Sequence, residues 1–311
     1  MGIPRSAKDY LGLLARGFVM GAADVVPGVS GGTMAMVLGI YEELIDATRK
    51  LTSAEFLQPL VRLRLMEALR VLPLSFLAAV LSGILVAIFS LASFLHWGLE
   101  NYPVLIWAFF LGLVLASIIV VALRLPAWRF GTTALAVAGA VAAYLLVGLV
   151  PVQTPETWWF YILSGAIAST AMLLPGVSGS FMLVLLGKYQ RVLGAVSDRE
   201  LLIVGLVGIG AGLGIILFAR VLAWLLHHYP NRTIAVLIGL MAGSLRKLWP
   251  WKEILETTLD RHGDIVPLIE QNVLPMANAE SAYAALLAIG GFAAVLLLYR
   301  VAGGDSSSAE P

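Results

Sequence analysis

The sequence predicts an all-α integral membrane protein built as an inverted-topology repeat, each half a re-entrant helical hairpin plus three transmembrane helices. Three observations predict it. Hydrophobic residues make up 60% of the chain and charged residues only 13%. Average soluble domains carry roughly 25% charged residues, so lipid must solvate much of this surface. Five runs, 71–95, 103–123, 131–150, 201–226 and 282–301, are apolar over the length a helix needs to cross a bilayer. Finally, Pro-Gly-Val-Ser-Gly occurs at 27–31 and again at 175–179, inside stretches that match without a gap: ADVVPGVSGGTMAMVLGIYEELI and AMLLPGVSGSFMLVLLGKYQRVL. Self-similarity of this kind decides how the rest of a chain is read.

Residues 1–311 read as a single membrane domain, with repeat 1 at 8–151 and repeat 2 at 152–302. The first hairpin, 10–47, has one arm at 11–26 that stops at Pro27-Gly28 and a second at 29–45 that opens on Ser30, Gly31 and Gly32. The second hairpin, 158–193, follows the same scheme around Pro175-Gly176. At 1.5 Å per residue each arm covers roughly 24–26 Å, short of a ~30 Å hydrocarbon core. Each hairpin is therefore expected to dip in and return; two short spans joined by a tight loop are the alternative. Broken backbone at that depth is tolerated only where protein or a wet cavity satisfies its polar groups.

The three spans of repeat 1 are 71–95, 103–123 and 131–150; those of repeat 2 are 201–226, 233–248 and 282–301. The segment 233–248 is short but bounded by basic residues. A second echo joins the copies: FFLGLVLAS at 109–117 and VLIGLMAGS at 236–244 share Gly112/Gly239, Leu113/Leu240 and Ser117/Ser244. A hairpin that does not cross, followed by three spans, crosses an odd number of times. The second copy must then be upside down, an arrangement that places broken helices at the bilayer midplane around a shared site.

Basic residues set the orientation. With the N-terminus inside, 13 Lys and Arg fall on the cytoplasmic side and 7 on the other, and the loops 96–102 and 151–157 carry none. Both termini are therefore expected on the cytoplasmic side of the membrane. The basic stretch 49–70 is expected on the anionic cytoplasmic leaflet, and the connection 249–280 outside, partly on the interface. The first apolar stretch contains Arg16 and Asp24 and lacks a cleavage site, so no cleavable signal peptide is expected. No cysteine is present, which excludes disulfides and thiolate metal sites. Neither a metal nor a cofactor is expected, nor is a nucleic-acid partner; homo-oligomer formation stays open.

The repeated motif has the makings of an anion site. Proline ends the first arm and glycine permits a sharp turn. The second arm then begins with N–H groups that have no intrahelical partner. These donors, the positive end of the helix dipole and a serine hydroxyl suit a phosphate. The candidate phosphate ligands are Ser30, Gly31, Gly32 and Thr33 from one copy and Ser178, Gly179 and Ser180 from the other, with Pro27, Gly28, Pro175 and Gly176 making the breaks. The plainer reading is that Ser30 and Ser178 only cap their own helices. Arg16 either serves the phosphate or snorkels to the surface. Asp24 lies deep in an apolar arm, where a lone charge is costly, and Met172 stands opposite it in the repeat. It is a candidate coupling residue; an ion pair with Arg16 is hindered by their eight-residue separation. Lys188 and Arg191 could gather anionic headgroups or snorkel.

The paired PGVSGGTMAMVLGIY and PGVSGSFMLVLLGKY, with the span pattern over 8–302, resemble the bacterial and archaeal polyprenyl-phosphate transporter family. The resemblance implies a flippase that returns undecaprenyl phosphate, the C55 carrier lipid, from the outer to the cytoplasmic leaflet for cell-envelope synthesis, and a polyprenyl-phosphate lipid as its partner in the bilayer. It is not expected to be an enzyme. Undecaprenyl-pyrophosphate phosphatase is similar in having inverted hairpins, but its PGxSRSxxT motif is absent here, as is its glutamate pair: 11–26 offers only Arg16 and Asp24. A secondary transporter for a small anion is the other alternative. GLVGIGAGLG at 205–214 lies within a span, so Gly208/Gly212 and Gly210/Gly214 read as helix-packing positions rather than a dinucleotide loop.

Overall fold

A computed structural model describes residues 6–25, 30–259 and 265–304. The body is helical. Helix α1 (Ala7–Asp24) starts on a capping box between Ser6 and Asp9. Beyond the first motif come α2 (Gly31–Val37) and α3 (Tyr41–Lys50), then two short helices, α4 (Ala54–Val61) and α5 (Leu65–Val71). Three long helices follow, α6 (Leu74–Asn101), α7 (Pro103–Ala122) and α8 (Phe130–Leu146). The pattern then recurs: α9 (Trp158–Leu173), α10 (Gly179–Leu185), α11 (Tyr189–Ser197), α12 (Leu201–His228), α13 (Pro230–Leu248) and, after the connection, α14 (Ala279–Gly304).

Four helices, α6, α7, α12 and α14, have the length and apolar composition to cross a membrane, so the chain is a multi-pass membrane protein. Helix α8 is shorter, at 17 residues, and α13 carries Arg232, Arg246 and Lys247 within its 19. The connection after α13 is an antiparallel strand pair, β1 (Lys252–Leu259) and β2 (Ile265–Asn272), the sole exception to an all-helical architecture among the described residues.

Packing follows the glycines. Helix α1 lies on α6, where a Cβ on Gly17 would meet the Val80 backbone at 2.9 Å, and α9 lies on α12, where one on Gly210 would meet the Ile162 Cα at 2.9 Å. The other pairs exchange partners between halves: α7 packs on α14 and α8 on α13. Gly112 stands against the backbone of Ala288, and Gly239 against that of Ala136. Small residues let lipid-embedded helices approach this closely, and dispersion between their backbones then holds them. Ser117 and Ser244, the other shared positions, are buried and donate back to Leu113 O and Met241 O, each at 2.7 Å. In the glycine-rich run of α12, Gly210 and Gly214 contact α9, whereas Gly208 and Gly212 face open space and pack against nothing. Only one of the two expected glycine pairs serves packing.

Each second arm, expected as one helix, is two. Leu38 caps the C-terminus of α2 and Leu186 that of α10, and the next residues, Gly39 (φ +74°) and Gly187 (φ +63°), are left-handed. Ile40 N–H donates to Ala35 O (3.0 Å) and Lys188 N–H to Leu183 O (2.8 Å), the bond pattern that ends a helix on a left-handed glycine. This accounts for the identity of Leu38-Gly39 and Leu186-Gly187 in the two copies.

Candidate functional site

The two motif copies meet. Thr33, fully buried, accepts a hydrogen bond from Gly176 N–H at 3.0 Å, and Tyr41 donates its phenol proton to Leu173 O at 2.6 Å. The Ser30 hydroxyl, also buried, lies 3.5 Å from Leu174 O. The start of α2 and the end of α9 are thus joined by side chains that the sequence holds more than 130 residues apart. Pro27 and Gly28 lie outside the described residues; Pro175 and Gly176 are buried, with Gly176 at φ +84°.

The environments of the two copies differ at the first helical N–H. In copy one, Asp24 Oδ1 accepts the Gly31 N–H at 2.6 Å, and a Cβ on Gly31 would meet the Asp24 carboxyl carbon at 2.8 Å. An internal carboxylate therefore occupies the donor that the motif offers to an anion. Among the described residues no basic side chain pairs with Asp24; Arg16, half-buried on α1, lies two turns away, roughly 12 Å along the axis. In copy two the corresponding residue is Met172, whose side chain packs against Gly179. Ser178 and Ser180 share a hydrogen bond of 2.8 Å, and Ser180 is exposed.

Both serines occupy N-cap positions, yet neither side chain caps its helix. The Ser30 hydroxyl turns to the other copy and the Ser178 hydroxyl to Ser180. The capping explanation for the repeated serine does not describe this geometry. Thr33 is bonded across the copies. A Cβ on Gly32 would stand 3.2 Å from Ser30 Oγ and 3.3 Å from Met172 O, so a side chain there would press on both.

An open apolar cavity of about 500 Å³ adjoins copy two. Leu174, Val177 and Met182 form its motif side, Leu217 and Val221 of α12 and Leu240 of α13 its far walls, and Thr170 supplies almost the sole polar group. Leu217 and Val221 are largely exposed, so the cavity opens toward the lipid-facing side of α12.

Several supporting residues escape a linear reading. Arg124, at the end of α7, donates to Met36 O (2.9 Å) and Val37 O (2.7 Å) and so satisfies the terminal carbonyls of α2. Thr154 does the same for Leu186 O in copy two. Lys188, expected either to gather headgroups or to snorkel, does neither at 2% exposure: its ammonium donates to Thr154 O at 2.9 Å and lies over the rings of Phe160 and Tyr161. Arg191 is engaged by both carboxylate oxygens of Glu200.

No solved structure matches this chain. A polyprenyl-phosphate transporter of Vibrio cholerae serotype O1 is 39% identical over 267 residues, covering 86% of each chain. A polyprenyl-phosphate transporter of Staphylococcus aureus is 31% identical over 256 residues, 76% of this chain and 85% of the relative. The family model described as undecaprenyl phosphate translocase-like matches residues 20–266, a stretch that contains both motif copies, their junction and the walls of the apolar cavity. The chain belongs to the undecaprenyl phosphate translocase-like family.

Proposed function

We propose that this protein is a lipid-phosphate flippase that returns undecaprenyl phosphate from the outer to the cytoplasmic leaflet of the inner membrane. The observation that carries the reading is the apolar cavity beside Ser178, Gly179 and Ser180. A headgroup at the motif would have an isoprenoid tail beside it, and at about 500 Å³ the cavity can take only the first part of a C55 chain. The remainder would stay in lipid. Such walls give a small hydrated anion nothing to bind, which sets the lipid reading above a small-anion transporter. The relatives' names point the same way.

In this reading the two repeats are related by a pseudo-two-fold axis in the membrane plane, and each hairpin is re-entrant. The exchanged pairing of α7 with α14 and α8 with α13 supports the symmetry. Copy two receives the phosphate first, through Ser178, Ser180 and the N–H groups of α10. Copy one completes the site with Ser30, Gly31, Gly32 and Thr33 when the Asp24 carboxylate gives up the Gly31 N–H, which protonation of Asp24 would favour. Arg16 is the nearby cation toward which the headgroup would leave, on the cytoplasmic side.

Cysteine labelling tests the topology, since the chain has no native cysteine. Gln58→Cys and Gln153→Cys should label from opposite faces, and Ser180→Cys from the same face as Gln153→Cys. Labelling of Ser180→Cys from the Gln58 face alone would replace the re-entrant hairpin with two spans. For the phosphate itself, purified Ser30→Ala and Ser178→Ala proteins, matched for folding, should bind undecaprenyl phosphate about ten- to hundredfold more weakly, as expected when a hydrogen bond to a charged group is lost. Unchanged affinity in both would remove these serines from the site.

A further inference from the structure

A second cluster of charge stands next to copy two, outside the repeated motif. Lys247, in the last turn of α13, and Lys252, at the start of β1, both point at one oxygen of Glu270 on β2, at 3.2 and 3.1 Å. Among the described ion pairs one carboxylate serves two ammonium groups, one positive charge in excess. The side chain of Lys252 is only 10% exposed and lies 5.0 Å from the centre of the Trp107 ring. Lys247 lies 5.8 Å from the ring of Phe181, the residue directly after Ser180. Burial, and then the neighbouring Lys247, hold Lys252 below the ordinary ammonium range. Burial pushes Glu270 upward, but the two lysines together outweigh it and hold its carboxyl below the ordinary range. These are the marks of an anion in place and of cations with capacity for more negative charge.

Helix α13 connects this cluster to the cavity. Leu240 lines the apolar wall, and Lys247 follows it by two turns, roughly 10 Å along the axis. Helix α13 therefore runs from the apolar groove to one of the two cations, Lys247, which lies by Phe181, the residue next to the motif serine Ser180. That order matches an amphiphile with an anionic head.

We propose that Lys247 and Lys252 form a receiving site for a phosphate monoester, with Glu270 as the resident anion that the phosphate displaces before it passes to Ser178 and Ser180. The lipid origin of that phosphate rests on the function proposed above; the phosphate chemistry of the cluster does not. A dianionic phosphate supplies both lysines with full counter-charge and accepts from both, where a single carboxylate oxygen is shared. The alternative is a staple that fastens the β1–β2 pair to the end of α13.

The two readings differ in what they predict for one substitution. The full-length protein in nanodiscs should be titrated with undecaprenyl phosphate and, separately, with inorganic phosphate. Lys247→Gln and Lys252→Gln should each weaken binding about tenfold or more. Glu270→Gln should tighten it several-fold, because the competitor is gone; a misfolded variant cannot give that result. A staple predicts that Glu270→Gln binds no tighter, and that outcome, with both lysine variants folded and binding like the wild type, overturns the proposal. If the wild type binds no undecaprenyl phosphate but binds inorganic phosphate with these same dependences, the cluster is a free-phosphate site and the flippase reading fails alone. Lipid binding with these dependences and no competition from inorganic phosphate assigns the cluster to the lipid headgroup.

Discussion

Gly176→Ala is expected to cost most of the protein's stability and all of its lipid binding. Gly176 has φ +84°, a left-handed backbone that costs a residue with a Cβ about 1–2 kcal/mol. Its new methyl would stand 2.8 Å from the Cα of Met241, and α13 cannot retreat because Gly239 is already locked against the Ala136 backbone. Overpacking against such a fixed neighbour adds about 1–3 kcal/mol. Any shift that relieves it pulls the Gly176 N–H away from Thr33 and parts the two motif copies. Thermal unfolding in detergent and titration with undecaprenyl phosphate check this together. A Gly176→Ala protein with native melting temperature and affinity would show that the junction is looser than its geometry.

Asp24→Leu is expected to abolish transport, and Asp24→Asn to remove its dependence on pH while leaving the fold intact. Leucine mimics Met172, the counterpart in the other copy, so the change gives both copies an apolar residue at this position. It leaves the Gly31 N–H without its partner, and losing a charge-assisted hydrogen bond costs about 1.5–3 kcal/mol, or ten- to hundredfold in an equilibrium. Asparagine can still accept from Gly31 through its amide oxygen but cannot take up or release a proton. Translocation of undecaprenyl phosphate into proteoliposomes, followed as a function of pH, separates the two effects. Transport by Asp24→Asn that keeps the wild-type rate and the wild-type dependence on pH would remove Asp24 from the coupling step.

The long helices were legible because hydrocarbon imposes a length on apolar runs, and α6, α7, α12 and α14 each lie along one of them. The break at Pro175-Gly176 was legible because proline and glycine punctuate a chain locally. The second breaks were not. Gly39 sits inside an apolar run and Gly187 at the end of one, and a lone glycine in either place reads equally well as a packing position. The spacing spoke against Arg16 as the partner of Asp24 but named no other; the partner is a backbone N–H across the break, which residue types do not announce. Lys188 looked like a surface cation because its sequence neighbours are polar, whereas a carbonyl at Thr154 and the rings at 160 and 161 hold it in the interior. The β1–β2 pair was hidden by charges scattered through KEILETTL and IVPLIEQN, which blur the period of two.

The exchanged pairing of α7 with α14 and α8 with α13 has a consequence for biosynthesis. A ribosome delivers α7 and α8 long before their partners exist. The nascent first half must therefore wait in the bilayer with Gly112 and Gly139 facing lipid, and neither half is a folding unit in its own right. Assembly closes only when the last helix arrives, so a premature stop before α14 strands α7 as well as deleting α14. Quality-control proteases that survey the membrane would meet such a chain as a whole-molecule failure rather than a shortened protein.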